Sequence, residues 1–134
     1  MRRRLMAGFA AIVFIYAFQA AADAPALYTA AQAALGAQIF AQSCATYHGA
    51  ALEGVAGPAL KGPVFRQMAA AQNLNAKSLL DVISASMPQD NPASLSPAQY
   101  AAIAAYILQQ NGYPAGGADL STATPGLKDL NLSQ

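Results

Sequence analysis

The sequence predicts a small all-α domain of three or four short helices joined by long loops rich in glycine and proline. Three observations support this fold class. Apolar residues recur at helical spacing in several segments, capping residues precede these segments, and no segment alternates apolar and polar residues as a half-buried strand does. The length of 134 residues suits a single domain of this size.

The first helix is predicted to run from a capping box to about Ser43. In this box Thr29 is the N-cap and Gln32 is the N3 residue, so each side chain is expected to bond the backbone N–H of the other. The segment is rich in alanine and glutamine. Its larger apolar residues are expected on one face, at spacings of four and five: Leu35, Ile39 and Phe40.

The middle of the chain is predicted to be a long loop followed by two helices. Glycine and proline cluster between residues 49 and 62, which is typical of a loop. A short helical piece is expected over residues 64–71. A second helix is expected from the N-cap Asn75 to about Met87, because Pro88 disfavours helical backbone at the residue before it.

The last helix is predicted over about residues 97–110 and has the strongest capping signal. Ser96 suits the N-cap, Pro97 the first helical position and Gln99 the N3 position. Asn111 and Gly112 then form a natural stop. The apolar face of this helix follows the helical period: Tyr100, Ile103, Ala104 and Ile107.

Residues 1–22 are predicted to be a secretory signal peptide. Arginines occupy positions 2–4, an uncharged and mostly apolar run covers 5–18, and three alanines at 20–22 precede Asp23. The apolar run is shorter than the ~20 residues that a membrane span needs. An uncleaved N-terminal anchor is the alternative, and only that alternative places the protein at a membrane. The protein is therefore expected in the periplasm, with a domain over 23–112 and a tail over 113–134.

Composition excludes several classes of function. Charged residues make up 10% of the chain, and removal of the signal peptide leaves four basic side chains against six acidic ones. A nucleic-acid-binding protein needs a basic face, so no nucleic acid is expected as a partner. The single cysteine excludes an intrachain disulfide. One cysteine and one histidine are also too few for a zinc site, which needs about four ligands.

Cys44 and His48 are the residues most suited to chemistry. They lie four positions apart just after the first predicted helix, a spacing that places both on one side of a helical turn. Three interpretations are open at this point: a Cys–His pair for nucleophilic catalysis, a structural pair of a buried thiol and a loop histidine, and ligation of a haem. In an oxidising compartment a lone cysteine favours a covalent partner other than another cysteine.

Residues 36–49 read G-A-Q-I-F-A-Q-S-C-A-T-Y-H-G, which resembles the class I c-type cytochrome pattern G-x-x-x-F/Y-x-x-x-C-x-x-C-H-G. Further along, residues 57–60 resemble the Gly-Pro-x-Leu loop of that family. Met87-Pro88 resembles its distal methionine loop, and residues 95–108 resemble its C-terminal helix. The resemblance covers about residues 28–113. It implies a cytochrome c-like fold around one haem c per chain.

Tyr47 stands where the family has its second haem-attachment cysteine. Both family cysteines form thioethers with haem vinyl groups. The resemblance therefore implies a single thioether here, at Cys44. Three explanations of Tyr47 are open: a chance substitution, a surface aromatic beside the haem edge, or a cover for the unmodified vinyl group.

The resemblance also implies the iron ligands. His48 is expected as the proximal ligand, with its second ring nitrogen bonded to the Pro58 carbonyl. Met87 is expected as the distal ligand, while Met68 lies too early in the chain for the family pattern. The first and last helices are expected to cross closely at Gly36.

The function implied is that of an exported monohaem cytochrome that carries single electrons and is not an enzyme, because two protein ligands saturate the iron. Residues 95–116 resemble haem domains that accompany periplasmic quinoprotein dehydrogenases, so such a dehydrogenase or a terminal oxidase is the expected kind of redox partner. Two alternatives are a haem protein with a labile sixth ligand, suited to gas or peroxide sensing or weak peroxidase activity, and a haem-free subunit with a degenerate site.

Overall fold

The computed structural model describes residues 24–134, so the predicted signal peptide lies outside the described residues. Within them the chain is all-helical, as predicted, and its only β pairing is an isolated bridge between Asn75 and Asn131. None of the helices in this range is long and apolar enough to cross a membrane. The helices are α1 (Ala30–Ser43), α2 (Ala45–His48), α3 (Gly62–Gln72), α4 (Ala76–Ser86) and α5 (Pro97–Gln110).

The core forms where α1 crosses α5. Gly36 faces α5 so closely that a Cβ atom there would overlap the backbone carbonyl of Ala102 and lie 3.0 Å from the Cβ of Tyr106. Only glycine permits this approach. One turn further on, the rings of Phe40 and Tyr106 pack in a tilted arrangement with centroids 5.4 Å apart. The close crossing at Gly36 is therefore confirmed.

Two details predicted for α1 were wrong. The Thr29 hydroxyl accepts from the Gln32 amide at 3.1 Å, but the Gln32 side chain does not complete the capping box. It bonds the backbone of Leu120 twice instead, as donor at 2.8 Å and as acceptor at 2.7 Å. Leu35 is 50% exposed, whereas Ile39 and Phe40 are buried. The face that packs is centred on Gly36, and Leu35 lies outside it.

The other helices agree with their capping signals. α4 begins with a reciprocal capping box between Asn75 and Ser78, and α5 begins with one between Ser96 and Gln99. α4 ends at Ser86 with Met87 as its C-cap. The helical piece expected over 64–71 is part of the longer α3. That helix begins with a proline in its first turn, which favours helix initiation.

Residues 113–134 are not helical, but they pack against the helices. The Gly116 amide bonds the Tyr28 carbonyl at 2.6 Å, and the Ala76 amide bonds the Leu130 carbonyl at 3.0 Å. This segment therefore connects the beginning of α1 with the beginning of α4. The composition of residues 113–134 gave no sign of this packing. The domain boundary at residue 112 stays a prediction. Four leucines of the segment are buried: Leu120, Leu127, Leu130 and Leu132.

Truncation after residue 112 is expected to lower the free energy of unfolding by several kcal/mol. Each of the four leucines contributes about 1.5–3 kcal/mol on burial, against a total stability of about 5–15 kcal/mol for a typical domain. Urea titration of the purified proteins, followed by far-ultraviolet circular dichroism, measures the effect. A chain that lacks only Gln134, which is exposed, is the control. Equal stability of the truncated and control chains would contradict the packing described.

Candidate functional site

A mostly apolar cleft opens beside the crossing of α1 and α5. Its empty volume, which includes space open to solvent, is about 450 Å³. The cleft lies between the end of α1, helix α2, the end of α4 and one face of α5. Its apolar walls include Phe40, Leu60, Ile83, Ile103 and Ile107.

Three of the four predicted site residues line this cleft. Cys44 lies between α1 and α2, His48 ends α2, and Met87 follows α4, so two distant parts of the chain meet there. Pro58 contributes through its backbone carbonyl, which contacts His48. Met68 is not among the lining residues and packs, partly buried, against the core.

The His48 ring is held in one orientation. His48 is 6% exposed, and its Nδ1 lies 2.8 Å from the Pro58 carbonyl oxygen. A carbonyl only accepts, so Nδ1 carries the proton and Nε2 keeps the lone pair that a metal ligand needs. The predicted contact between His48 and Pro58 is confirmed.

The loop after α2 is shaped to receive this ring. A Cβ atom at Gly57 would lie 2.9 Å from Cε1 and 3.0 Å from Nδ1 of His48. The loop is tied to α2 by two short backbone bonds of 2.7 Å, from the Gly54 amide to the His48 carbonyl and from the Gly57 amide to the Tyr47 carbonyl. The absence of a side chain at Gly57 therefore brings the Pro58 carbonyl within reach of His48.

Cys44 has a protonated thiol at neutral pH. Burial raises the pKa of this thiol to about 11. A nucleophilic cysteine acts as the thiolate, and its usual activating partner is a histidine nitrogen. Nδ1 of His48 is engaged by the Pro58 carbonyl, and no hydrogen bond joins the Cys44 thiol to the His48 ring in the described structure. A protonated thiol without such a partner disfavours the interpretation of Cys44 and His48 as a catalytic pair.

Tyr47 lines the cleft three residues after Cys44, and it is half-buried. Its carbonyl accepts from the amides of Val55 at 3.2 Å and Gly57 at 2.7 Å. The backbone around Tyr47 is therefore fully engaged by the loop, while the side chain forms part of the cleft wall. This placement suits a side chain that covers part of a bound group.

Met87 is restrained through its backbone. Its amide donates to the Ile83 carbonyl at 3.1 Å, and its carbonyl accepts from the Ala93 amide at 3.2 Å. The Tyr100 hydroxyl donates to the same carbonyl at 2.5 Å. Sequence reasoning assigned Tyr100 to packing only. Its position on the apolar face of α5 suits any large apolar residue, so the pattern gave no signal for the hydroxyl.

Asn111 is a second residue that sequence reasoning missed, since it was assigned only to the end of α5. Its side-chain amide donates to the Leu60 carbonyl at 2.9 Å, and its side-chain oxygen accepts from the Gly62 amide at 3.1 Å. Asn111 thereby fastens the end of the loop after α2 to the end of α5. The only signal in the sequence was that asparagine often ends a helix, which says nothing about a distant loop.

The residues of the cleft fit a haem. Residues 24–134 contain no cluster of three or more His, Cys, Asp and Glu side chains that could hold a metal ion by themselves. A haem requires an apolar cleft and axial ligands, and covalent attachment requires a thiol. The cleft has apolar walls, an oriented imidazole at His48, a thioether at Met87 and a thiol at Cys44.

The comparisons with known proteins bear on this site. The family model described as "Cytochrome C oxidase, cbb3-type, subunit III" matches residues 31–107, which is more than half of the chain. No curated protein gives a significant match. A chain in the crystal structure of the sulfane dehydrogenase SoxCD from Paracoccus pantotrophus is similar, with a TM-score of 0.57 and 21% identity. The match covers 96% of this chain and 68% of that chain, and at this identity it shows the fold alone.

Replacing Gly57 with alanine is expected to displace the His48 ring and to weaken haem retention. The added methyl group meets ring atoms at about 3 Å, and overpacking of this kind costs about 1–3 kcal/mol. The haem-to-protein ratio after purification measures the effect. Gly117→Ala is the matched control, because a Cβ at Gly117 has no neighbour within 4 Å. Equal haem content in the two variants would show that the close approach of Gly57 to the His48 ring is not needed for haem retention.

Proposed function

The chain belongs to the family described as cytochrome c oxidase, cbb3-type, subunit III, and from this premise we propose that it is an exported, monohaem c-type cytochrome that carries single electrons between redox proteins. Membership of this family implies a c-type cytochrome with covalently bound haem c, so a haem-free subunit is not retained as an alternative. When bound, the haem supplies one-electron exchange at its iron.

His48 is the proposed proximal ligand, through Nε2. The observation that carries this proposal is the 2.8 Å contact between Nδ1 and the Pro58 carbonyl. It sets the tautomer and orients the ring, and it raises the basicity of the coordinating nitrogen. Burial of the ring also shields this ligand from water.

Met87 is the proposed distal ligand, through its thioether sulfur. It lines the same cleft as His48 but lies much later in the sequence, at the end of α4. A His/Met pair favours ferrous iron and so raises the reduction potential. With both axial positions taken by protein side chains, the proposed role is electron transfer without a catalytic activity of its own.

Cys44 is the proposed site of a single thioether. Its thiol lies at the end of α1, on the wall of the cleft. Tyr47, at the position where a second attachment would be made, has no sulfur to add to a vinyl group. We propose that its ring covers that side of the haem instead.

Export to the periplasm remains part of the proposal, with the signal peptide over residues 1–22 as its basis. The proposed partners are other redox proteins, such as a periplasmic quinoprotein dehydrogenase or a terminal oxidase. The similar chain of known structure belongs to a protein described as a sulfane dehydrogenase, which supports a dehydrogenase as the kind of partner to test.

A second candidate function is ligand binding at an open sixth position. One observation favours it: Met87 lies outside the helices, at the start of the segment between α4 and α5. A ligand on such a segment leaves the iron easily unless the segment is restrained. Carbon monoxide binding to the reduced protein at neutral pH distinguishes the two candidates, since a stable His48/Met87 pair predicts none.

Replacement of His48 with alanine is expected to abolish haem binding, because no other histidine exists in the chain. Expression with the periplasmic cytochrome maturation proteins, followed by absorption spectroscopy of the purified chain, measures this. Met68→Ala is the control, since Met68 does not line the cleft, and it is expected to retain haem at the wild-type ratio. Normal holoprotein formation by His48→Ala would refute the assignment of the proximal ligand.

A further inference from the structure

One side-chain hydroxyl joins both ends of the segment that carries the proposed distal ligand. Residues 87–96 connect α4 with α5 and contain no helix. The Tyr100 hydroxyl donates to the Met87 carbonyl at 2.5 Å and accepts from the Leu95 amide at 3.3 Å. The donor and an acceptor site of the hydroxyl are therefore both engaged, one at each end of the segment.

Tyr100 is buried at the beginning of α5. It is 3% exposed and lies in the first turn of α5, which the capping box of Ser96 and Gln99 stabilises. α5 in turn packs against α1 through the close approach at Gly36. A bond from Tyr100 therefore ties Met87 to the rigid helix pair.

The second bond to the Met87 carbonyl has a different effect. It comes from the Ala93 amide at 3.2 Å, which belongs to the same segment. That bond restrains the shape of the segment but not its position relative to α5. The Met87 amide bonds Ile83 and so fixes the residue to the end of α4. The bond from the Tyr100 hydroxyl therefore joins Met87 to α5, which forms one wall of the cleft.

We propose that Tyr100 is a positioning residue that keeps the Met87 sulfur at the sixth coordination position and thereby keeps small ligands off the iron. The inference rests on the proposed function, in which Met87 is the distal ligand. The hydroxyl acts through the backbone of Met87 and does not contact the iron. Loss of the hydroxyl frees the segment to move away, and the fraction of molecules with an open sixth position increases.

Imidazole binding to the oxidised holoprotein tests this proposal at one fixed pH. Imidazole competes with Met87 for the sixth position, so its apparent affinity reports the open fraction. Tyr100→Phe keeps the buried ring and removes only the oxygen. It is expected to bind imidazole about fivefold more tightly than the wild type, the change that loss of one ordinary hydrogen bond produces. The weak long-wavelength band of methionine-ligated ferric haem is expected to decrease in parallel.

Tyr113→Phe is the matched control. Tyr113 is also buried, and its hydroxyl donates to a backbone carbonyl, that of Asn131, at 3.1 Å. Unlike Tyr100, Tyr113 does not line the cleft. A general loss of stability affects both variants, whereas the proposal predicts tighter imidazole binding in Tyr100→Phe alone.

Met87→Ala and the double variant separate the possible failures. If Met87→Ala binds imidazole more tightly but Tyr100→Phe behaves like Tyr113→Phe, the role of Tyr100 is overturned and the axial ligand stands. If Met87→Ala binds imidazole no more tightly than the wild type, Met87 is not the ligand and both proposals fall. In Met87→Ala/Tyr100→Phe no further increase is expected, because Tyr100 acts only through Met87. A further increase would overturn the positioning role.

Discussion

The close approach of α1 and α5 at Gly36 is the constraint on which the rest of the structure depends. Because no side chain separates the helices at this point, the residues one to two turns further along α1 lie against the face of α5. α1 then ends beside the cleft, with Cys44 on its wall and α2 directly after it. The apolar side chains of α5 form the opposite wall. The site is therefore a consequence of where two helices cross.

Around this helix pair, the two proposed ligands are held by segments that are mostly not helical. The loop after α2 is bonded to α2 through backbone hydrogen bonds, and its Pro58 carbonyl contacts the His48 ring. The Asn111 side chain bonds the same loop to the end of α5. The segment after α4 is fastened by Tyr100. Each of these contacts is a hydrogen bond to a backbone group, so a domain with few charges can still hold the two proposed ligands in place. Apolar burial provides the stability, and these bonds provide the position.

The sequence pattern predicted most local features, and the family resemblance implied the close crossing at Gly36 and the contact between His48 and Pro58. Capping residues act within three or four positions, so Asn75, Ser96 and the bounds of α5 were readable from the pattern. The Pro58 contact was implied by the resemblance to the family and not by the pattern of the residues alone. Bonds between residues 85 or 88 positions apart, such as Tyr28 with Tyr113 and Gln32 with Leu120, leave no periodic signal. For the same reason a Gly/Pro-rich C-terminal segment gave no sign that it packs.

The proposed function depends on a haem in the cleft that Cys44 attaches through a single thioether. The reduced pyridine haemochrome spectrum of the purified full chain, recorded before and after acid–acetone extraction, tests it directly. Single attachment predicts haem that stays with the protein, with an α-band between those of doubly attached and unattached haem. Haem that extracts completely into the solvent would contradict single attachment at Cys44, and a chain that never binds haem would contradict the assignment of the cleft.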